Sequence, residues 1–141
     1  MTNLDALVEE LKELTALQQT PRPFTEGDYR NMIIYGVKTL YIDTGRALEW
    51  NEELLYEDEE NQNMLYLTYD LPIDEEKYVL LCAQIAFYRK VQSSVNNIVS
   101  YTTNALSVSG GDKPYAHLKN TIGELENEKR KTYYKMRRYT I

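Results

Sequence analysis

Residues 70–99, DLPIDEEKYVLLCAQIAFYRKVQSSVNNIV, decide the fold because they read as one long helix. Pro72 is tolerated in a first helical turn, and the acids at 74–76 lie near the positive end of the helix dipole. From Tyr78 to Tyr88 the segment is apolar almost all round, and beyond residue 90 a single apolar stripe remains. A helix with this pattern lies inside a bundle and then emerges from it. We therefore expect the other helices to pack around its first half.

The N-terminal residues 1–20 predict a short amphipathic helix that follows Asn3, a good N-cap. Its apolar residues recur at helical spacing from Leu4 to Leu14. Two prolines make residues 21–24 an extended linker, which leaves this first helix free to pack on a neighbouring copy instead of its own domain.

Two more helices are predicted. Thr25 and Asp28 resemble a capping box before a helix that carries Gly36 on its apolar face, where a small residue lets another helix come close. Gly45 is placed to end that helix. Asp112 is expected to cap the last helix, which has Pro114 in its first turn, an apolar stripe from Leu118 to Met136 and an i,i+4 ion pair between Glu126 and Arg130.

Residues 47–63 form an acidic connection, and Met64 to Tyr69 alternates like a short strand or one arm of a hairpin. Residues 101–108 read as a short strand or an extended loop. The predicted fold is mainly α, a small helical bundle around a long central helix with a short β-strand or hairpin and an extended loop. Residues 1–141 form a single domain, with a helical core at 25–128 and a basic C-terminal segment at 129–141.

The charges of this 141-residue chain are segregated, although its net charge of −6 argues against uniform attraction to nucleic acid. The charged residues between Glu49 and Glu60 are all acids, and those between 129 and 138 are all bases. Segregated charge usually marks surfaces that meet a partner. The 13 tyrosines, against 2 phenylalanines, also favour a protein with much of its surface in contact.

Catalytic patterns are not evident in the sequence. The single histidine, His117, and the single cysteine, Cys82, read as a surface or packing residue and as core filler. Metal-binding and phosphate-binding motifs are missing, and the acidic connection lacks the glycine of an EF-hand. We predict a protein that is not an enzyme, needs no cofactor and binds no metal. With one cysteine, the protein is expected to be made in a reducing cytosol or to be indifferent to redox state, and no apolar run reaches the roughly 18 residues that span a membrane.

The basic C-terminal segment has two interpretations. Bases interleaved with tyrosines bind nucleic acid through phosphates, but the same mixture is typical of a protein–protein hot spot. The second interpretation is favoured, because a segment without carboxylates finds them on another subunit, including the acidic connection of a neighbouring copy.

The order DYRNMIIYGVKTLYIDTGR (28–46), an acidic connection, DEEKYVLLCAQIAFYRKV (74–91) and IVSYTTNALSVSGGDKPYAHLKNTIGELENEKRKTYYKM (98–136) resembles the head–tail connector proteins of long-tailed phages of Gram-positive hosts. These are also called adaptor or head-completion proteins. The resemblance implies a small helical subunit of a ring, usually twelvefold, in the neck of the virion, assembled in the host cytoplasm. Such a ring docks on the portal protein, extends the DNA channel for double-stranded DNA without sequence specificity, and receives the next neck or tail component.

Carried over by position, the resemblance makes two sets of candidate residues. The portal-docking candidates are Lys129, Arg130, Lys131, Tyr133, Tyr134, Lys135, Arg137, Arg138 and Tyr139. The candidates for contact between subunits or for the channel lumen are Glu57, Asp58, Glu59, Glu60, Tyr101, Ser107, Gly110 and Gly111. A nucleic-acid-binding module and a helical host adaptor protein are the alternatives.

Overall fold

The structure, a computed structural model, describes residues 1–15, 24–93 and 114–138, and side chains within the last range from 118 to 137. The elements in chain order are β1 (Thr2–Asn3), α1 (Leu4–Thr15), α2 (Glu26–Asp43), two 3-10 turns (Ala47–Glu49 and Glu52–Leu54), β2 (Leu55–Asp58), β3 (Met64–Leu67), α3 (Ile73–Ser93) and α4 (Pro114–Arg138). The fold is mainly α with one small antiparallel sheet, which confirms the predicted fold class.

Helix α3 is the centre of the bundle, as its sequence predicts. It packs against α2, α4 and α1. Val79, Ala83 and Val91 have no exposed surface, and Phe87 is also buried. The core therefore surrounds α3 over most of its length, and other helices cover several of its faces.

Helix α2 begins and ends where the sequence predicts. Thr25 and Asp28 form the reciprocal hydrogen bonds of a capping box. Gly45, just beyond the helix, has a φ of 77°, a left-handed conformation that glycine adopts without strain. Gly36 faces the backbone of Val79 in α3, and a Cβ at this glycine would lie only 2.6 Å from the Val79 carbonyl oxygen. The close approach predicted at Gly36 is confirmed.

The sheet has the order β1–β3–β2, and β2 and β3 form the predicted hairpin. Leu65 and Leu67 on β3 are buried and join the sheet to the helical core. The hairpin turn passes through Gln62 and Asn63, both in the left-handed region at 57° and 56°. Arg30 of α2 donates a hydrogen bond to the Asn63 carbonyl oxygen at 3.3 Å, which ties the turn to the bundle.

Helix α1 is capped by Asn3, whose Oδ1 accepts a hydrogen bond from the Ala6 N–H at 3.1 Å. It packs against α2, α3 and β3 of the same chain, so the expectation that it packs on a neighbouring copy is not met. Leu14 was predicted on the apolar stripe but is 48% exposed. Lys12 is buried instead, and its ammonium binds Glu9 and Glu26. Burial alone would lower the pKa of Lys12, but these hydrogen bonds outweigh it and raise the pKa.

Helix α4 carries the predicted stripe: Leu118, Thr132 and Met136 are buried, and the stripe residues between them are half-buried. The helix continues to Arg138, so residues 129–138 of the basic segment belong to α4. The predicted ion pair between Glu126 and Arg130 is wrong, because Glu126 binds Arg89 of α3 and Arg130 donates a hydrogen bond to Asn127 at 3.4 Å.

Several predictions lie outside the described residues. These are the prolines of the linker, the strand or loop at 101–108, the helix cap at Asp112, and the candidates Tyr101, Ser107, Gly110, Gly111 and Tyr139.

Candidate interaction surfaces

Helix α4 presents its bases on two sides. On the inner side, Lys129 lies 3.5 Å from the Asp43 carboxylate and 5.6 Å from the ring of Tyr78. Tyr133 is half-buried, with its ring centroid 6.5 Å from that of Tyr78. Two of the nine portal-docking candidates thus contact the chain's own core.

The contacts of the inner side centre on the hydroxyl of Tyr78, which donates a hydrogen bond to Asp43. Burial, followed by this bond to a carboxylate, raises the pKa of Tyr78 well above its ordinary value. The cluster of Asp43, Tyr78 and Lys129 joins α2, α3 and α4, and its arrangement is that of a structural polar network.

The outer side of α4 carries a basic face, defined here as Arg130, Lys131, Tyr134 and Lys135. All four are exposed, and the Tyr134 side chain is 58% exposed despite its size. Lys131 forms one ion pair, at 3.6 Å, with Glu128 of the same helix. An exposed pair of this kind contributes little to stability, so Lys131 is available to a partner. Arg137 is exposed next to this face, while the side chain of Arg138 is not described.

The acidic connection folds into the two 3-10 turns and the hairpin, and its carboxylates differ in role. Glu57 pairs with Arg30 at 3.2 Å, and Asp58 Oδ1 accepts the Glu60 N–H at 3.2 Å. These two candidates stabilise the hairpin. Glu59 and Glu60 are exposed in its turn. Among the lumen or inter-subunit candidates whose side chains are described, Glu59 and Glu60 are therefore exposed and lie outside the paired strands.

The bundle end at which α2 stops and α3 starts carries an unexpected apolar surface. Leu48 is fully exposed, at 102%, while Ile73 is 83% and Ile42 63% exposed. Tyr69, just before the start of α3, is 40% exposed. We call these four residues the apolar end. Sequence reasoning missed it because exposure depends on how the elements pack, and only the structure shows that nothing in the described chain covers these residues.

Arg46 connects the end of α2 to the start of α3, beside the apolar end. Its Nε donates to Thr44 Oγ1 at 3.0 Å, and its guanidinium also binds Glu75 at the start of α3. The same guanidinium lies 5.0 Å from the Tyr41 ring and 5.8 Å from the Tyr69 ring. Burial would lower the pKa of Arg46, but its bond with Glu75 prevails and raises it. Arg46 is therefore charged, and its contacts with Thr44 and Glu75 join the end of α2 to the start of α3.

Two cavities border α4. One, of about 430 Å³, lies between α2, α3 and α4, with Cys82 in its wall. Burial raises the pKa of Cys82 to about 12, so its thiol is protonated and unreactive at neutral pH. The other, of about 850 Å³, lies at the bundle end between Arg46, Tyr69 and Glu75 on one side and Met136 on the other.

Within residues 1–15, 24–93 and 114–138, no group of histidine, cysteine or acidic side chains is placed to hold a metal ion. Over the same part of the chain, no helix is both long and apolar enough to cross a bilayer. Comparison of the chain with protein-family models, with curated proteins and with solved structures found no significant match.

Proposed function

We propose that this chain is a structural subunit of a phage neck ring, a head-to-tail adaptor that docks on the portal, extends the DNA channel and receives the next neck or tail component. The observation that carries the proposal is the separation of charge on one bundle, with the basic face on α4 and exposed acids on the turns and the hairpin. Identical subunits in a ring meet through two different patches, so each must carry complementary surfaces on different sides.

Portal docking is assigned to the outer C-terminal end of α4. Lys129 and Tyr133 contact the chain's own core, so docking is assigned to the residues that follow Arg137, and the basic face is left for contact between subunits. The exposed acids of the hairpin turn, Glu59 and Glu60, suit a lumen wall because carboxylates repel the phosphates of passing DNA.

Electron microscopy of this protein mixed with the portal encoded nearest to its gene tests the neck role. A truncation at Glu128 would remove Thr132 and Met136 from the core, so a suitable variant ends at Arg137. The matched control is Lys119→Glu, a charge change at an exposed site nearer the other end of α4.

We expect a ring stacked on the portal with the full chain and with the control, and loss of stacking with the shortened chain. A stack that survives the shortening would move docking elsewhere, and no association of the full chain with the portal would overturn the neck role.

A nucleic-acid-binding role is the second candidate, because Arg130, Lys131 and Lys135 are exposed around Tyr134. Titration of the isolated protein with duplex DNA over a range of salt concentrations separates the two. Neck function predicts weak binding, whereas tight binding with a slope of about 0.9 per neutralised phosphate would favour the nucleic-acid role.

A further inference from the structure

We infer that the apolar end of one copy, together with the acids around it, binds the basic face of α4 of a second copy. This inference deepens the proposed ring by naming the surfaces that join its subunits. Only the closure of the contact into a ring rests on the proposed function, because contact between two copies is measurable without a portal.

The apolar end has the features of a binding surface. Leu48, Ile73 and Ile42 are large aliphatic side chains with most of their surface in water, and they belong to the segments where α2 ends and α3 starts. Exposed apolar residues scattered singly are ordinary, but a group of them marks a site of association. Arg46 joins Thr44, Glu75 and two tyrosine rings beside this surface, and contacts that hold the backbone in place before binding lower its entropic cost.

The charge around the apolar end selects a basic partner. Glu49, Glu52 and Glu53 are exposed on the two 3-10 turns that follow α2. Lys38 lies 3.6 Å from Glu52, an exposed pair that offsets part of this charge. Arg46 is held by Glu75. Exposed acids therefore follow the apolar Leu48 in the chain, and the surface suits an aromatic side chain flanked by cations.

The basic face of α4 has this chemistry. Tyr134 stands out between Arg130 and Lys131, and tyrosine with arginine is the commonest make-up of an energetic hot spot. The face lies opposite the buried residues Thr132 and Met136. It points away from the bundle, so the acids of the same chain's apolar end do not satisfy it and those of another copy are free to do so.

The two surfaces also lie at the same end of the molecule. Tyr133, Met136 and Arg137 of α4 share the walls of the 850 Å³ cavity with Arg46 and Tyr69 of the α2–α3 junction. Side-by-side copies therefore match one surface to the other without a large shift along the helices. A head-to-tail contact that involves rotation without translation closes into a ring.

Zero-length carbodiimide coupling of a mixture of unlabelled and isotope-labelled full chain tests the inference. The reagent joins lysine to carboxylate in contact, and a cross-link with one light and one heavy peptide arises only between copies. We expect light–heavy links from Lys131 or Lys135 to Glu49, Glu52 or Glu53. Light–heavy links that avoid these residues, or none at all, would overturn the inference.

Substitutions of exposed residues sharpen the test, since they leave the core untouched. Tyr134→Ser and Leu48→Ser should each reduce the yield of these links by about tenfold or more. The control Tyr35→Ser changes a tyrosine that is 51% exposed on α2 and should leave the yield unchanged. Equal losses with the control would refute the assignment.

A charge exchange completes the design. Lys131→Glu and Glu53→Lys should each lower association of the full chain in analytical ultracentrifugation, and the double variant should recover it. If the double variant is as weak as the singles, the pairing is wrong. Links between copies without portal binding would overturn the neck role alone, and portal binding without such links would overturn this interface alone.

Discussion

Replacement of Gly36 by alanine tests how tightly α2 and α3 are packed. The added Cβ would lie 2.6 Å from the carbonyl oxygen of Val79 and 3.1 Å from its Cγ1. The first of these atoms belongs to the backbone of α3, so no change of rotamer relieves the contact. The two central helices would have to move apart, and the core around Val79 would lose packing.

The magnitude follows from two opposing effects. Overpacking in a well-packed core costs about 1–3 kcal/mol. Alanine in place of glycine inside a helix offsets this by about 0.5–1 kcal/mol. We therefore expect Gly36→Ala to lower the free energy of unfolding by about 1–2 kcal/mol. For a chain of this size that lowers the melting temperature by roughly 3–6 °C.

Gly123 provides the matched control, because it lies in α4 with nothing within 4 Å of its Cβ position. Gly123→Ala should therefore gain the helix propensity alone and stabilise the protein by about 0.5–1 kcal/mol. Urea and thermal unfolding followed by circular dichroism measure both variants. The reasoning would be refuted if Gly36→Ala were as stable as the original chain, or if the two variants changed stability in the same direction.

Four further predictions concern single side chains. Thr25→Ala should cost about 1 kcal/mol in urea unfolding at neutral pH, since it removes half of the capping box, and an unchanged midpoint would contradict the cap. The Thr25 backbone N–H, with Lys90, lowers the pKa of Asp28. The stabilisation by the ionised Asp28 is therefore present above the ordinary pKa of 3.8 and is lost as the pH falls through the lower pKa of the folded state. Asp28→Asn should reduce this loss of stability at acid pH. The pKa of Tyr78 is raised, so the pH dependence runs the other way. Its contribution to the free energy of unfolding is complete below the ordinary pKa of 10.0 and is lost as the pH rises above that value, so Tyr78→Phe should reduce the loss of stability at alkaline pH. Cys82, with a pKa of about 12, should react with iodoacetamide at pH ~8 only after denaturant is added, and rapid labelling of the folded chain would count against its burial.

Local signals in the sequence were reliable where one element alone decides the outcome. The capping box of Thr25, the left-handed Gly45 and the N-cap Asn3 all depend on groups within a few residues of each other. The near-continuous apolar pattern of α3 was also decisive, because a helix with that surface must be surrounded. The strand at Met64 to Leu67 and its hairpin followed from alternation in the same way.

Signals that depend on a partner element were unreliable. Glu126 and Arg130 have the spacing of an i,i+4 pair, yet Arg89 on α3 takes the carboxylate because the two helices pack side by side. Leu14 fits the apolar stripe of α1 but is exposed, whereas Lys12 is buried and pairs with Glu9 and Glu26. The side of α1 that the other elements cover therefore differs from the side that its apolar residues mark. Spacing along one helix does not reveal where a second helix lies across it.

The sequence by itself determined the helices, their caps, the hairpin, the central position of α3 and the segregation of acid from base, because each depends on local periodicity or composition. Only the tertiary structure decided which bases of α4 face outward, which acids are already paired, and that Leu48, Ile42 and Ile73 are left uncovered at one end of the bundle. Exposure is a property of how elements cover one another, and contacts between residues far apart in the chain set it.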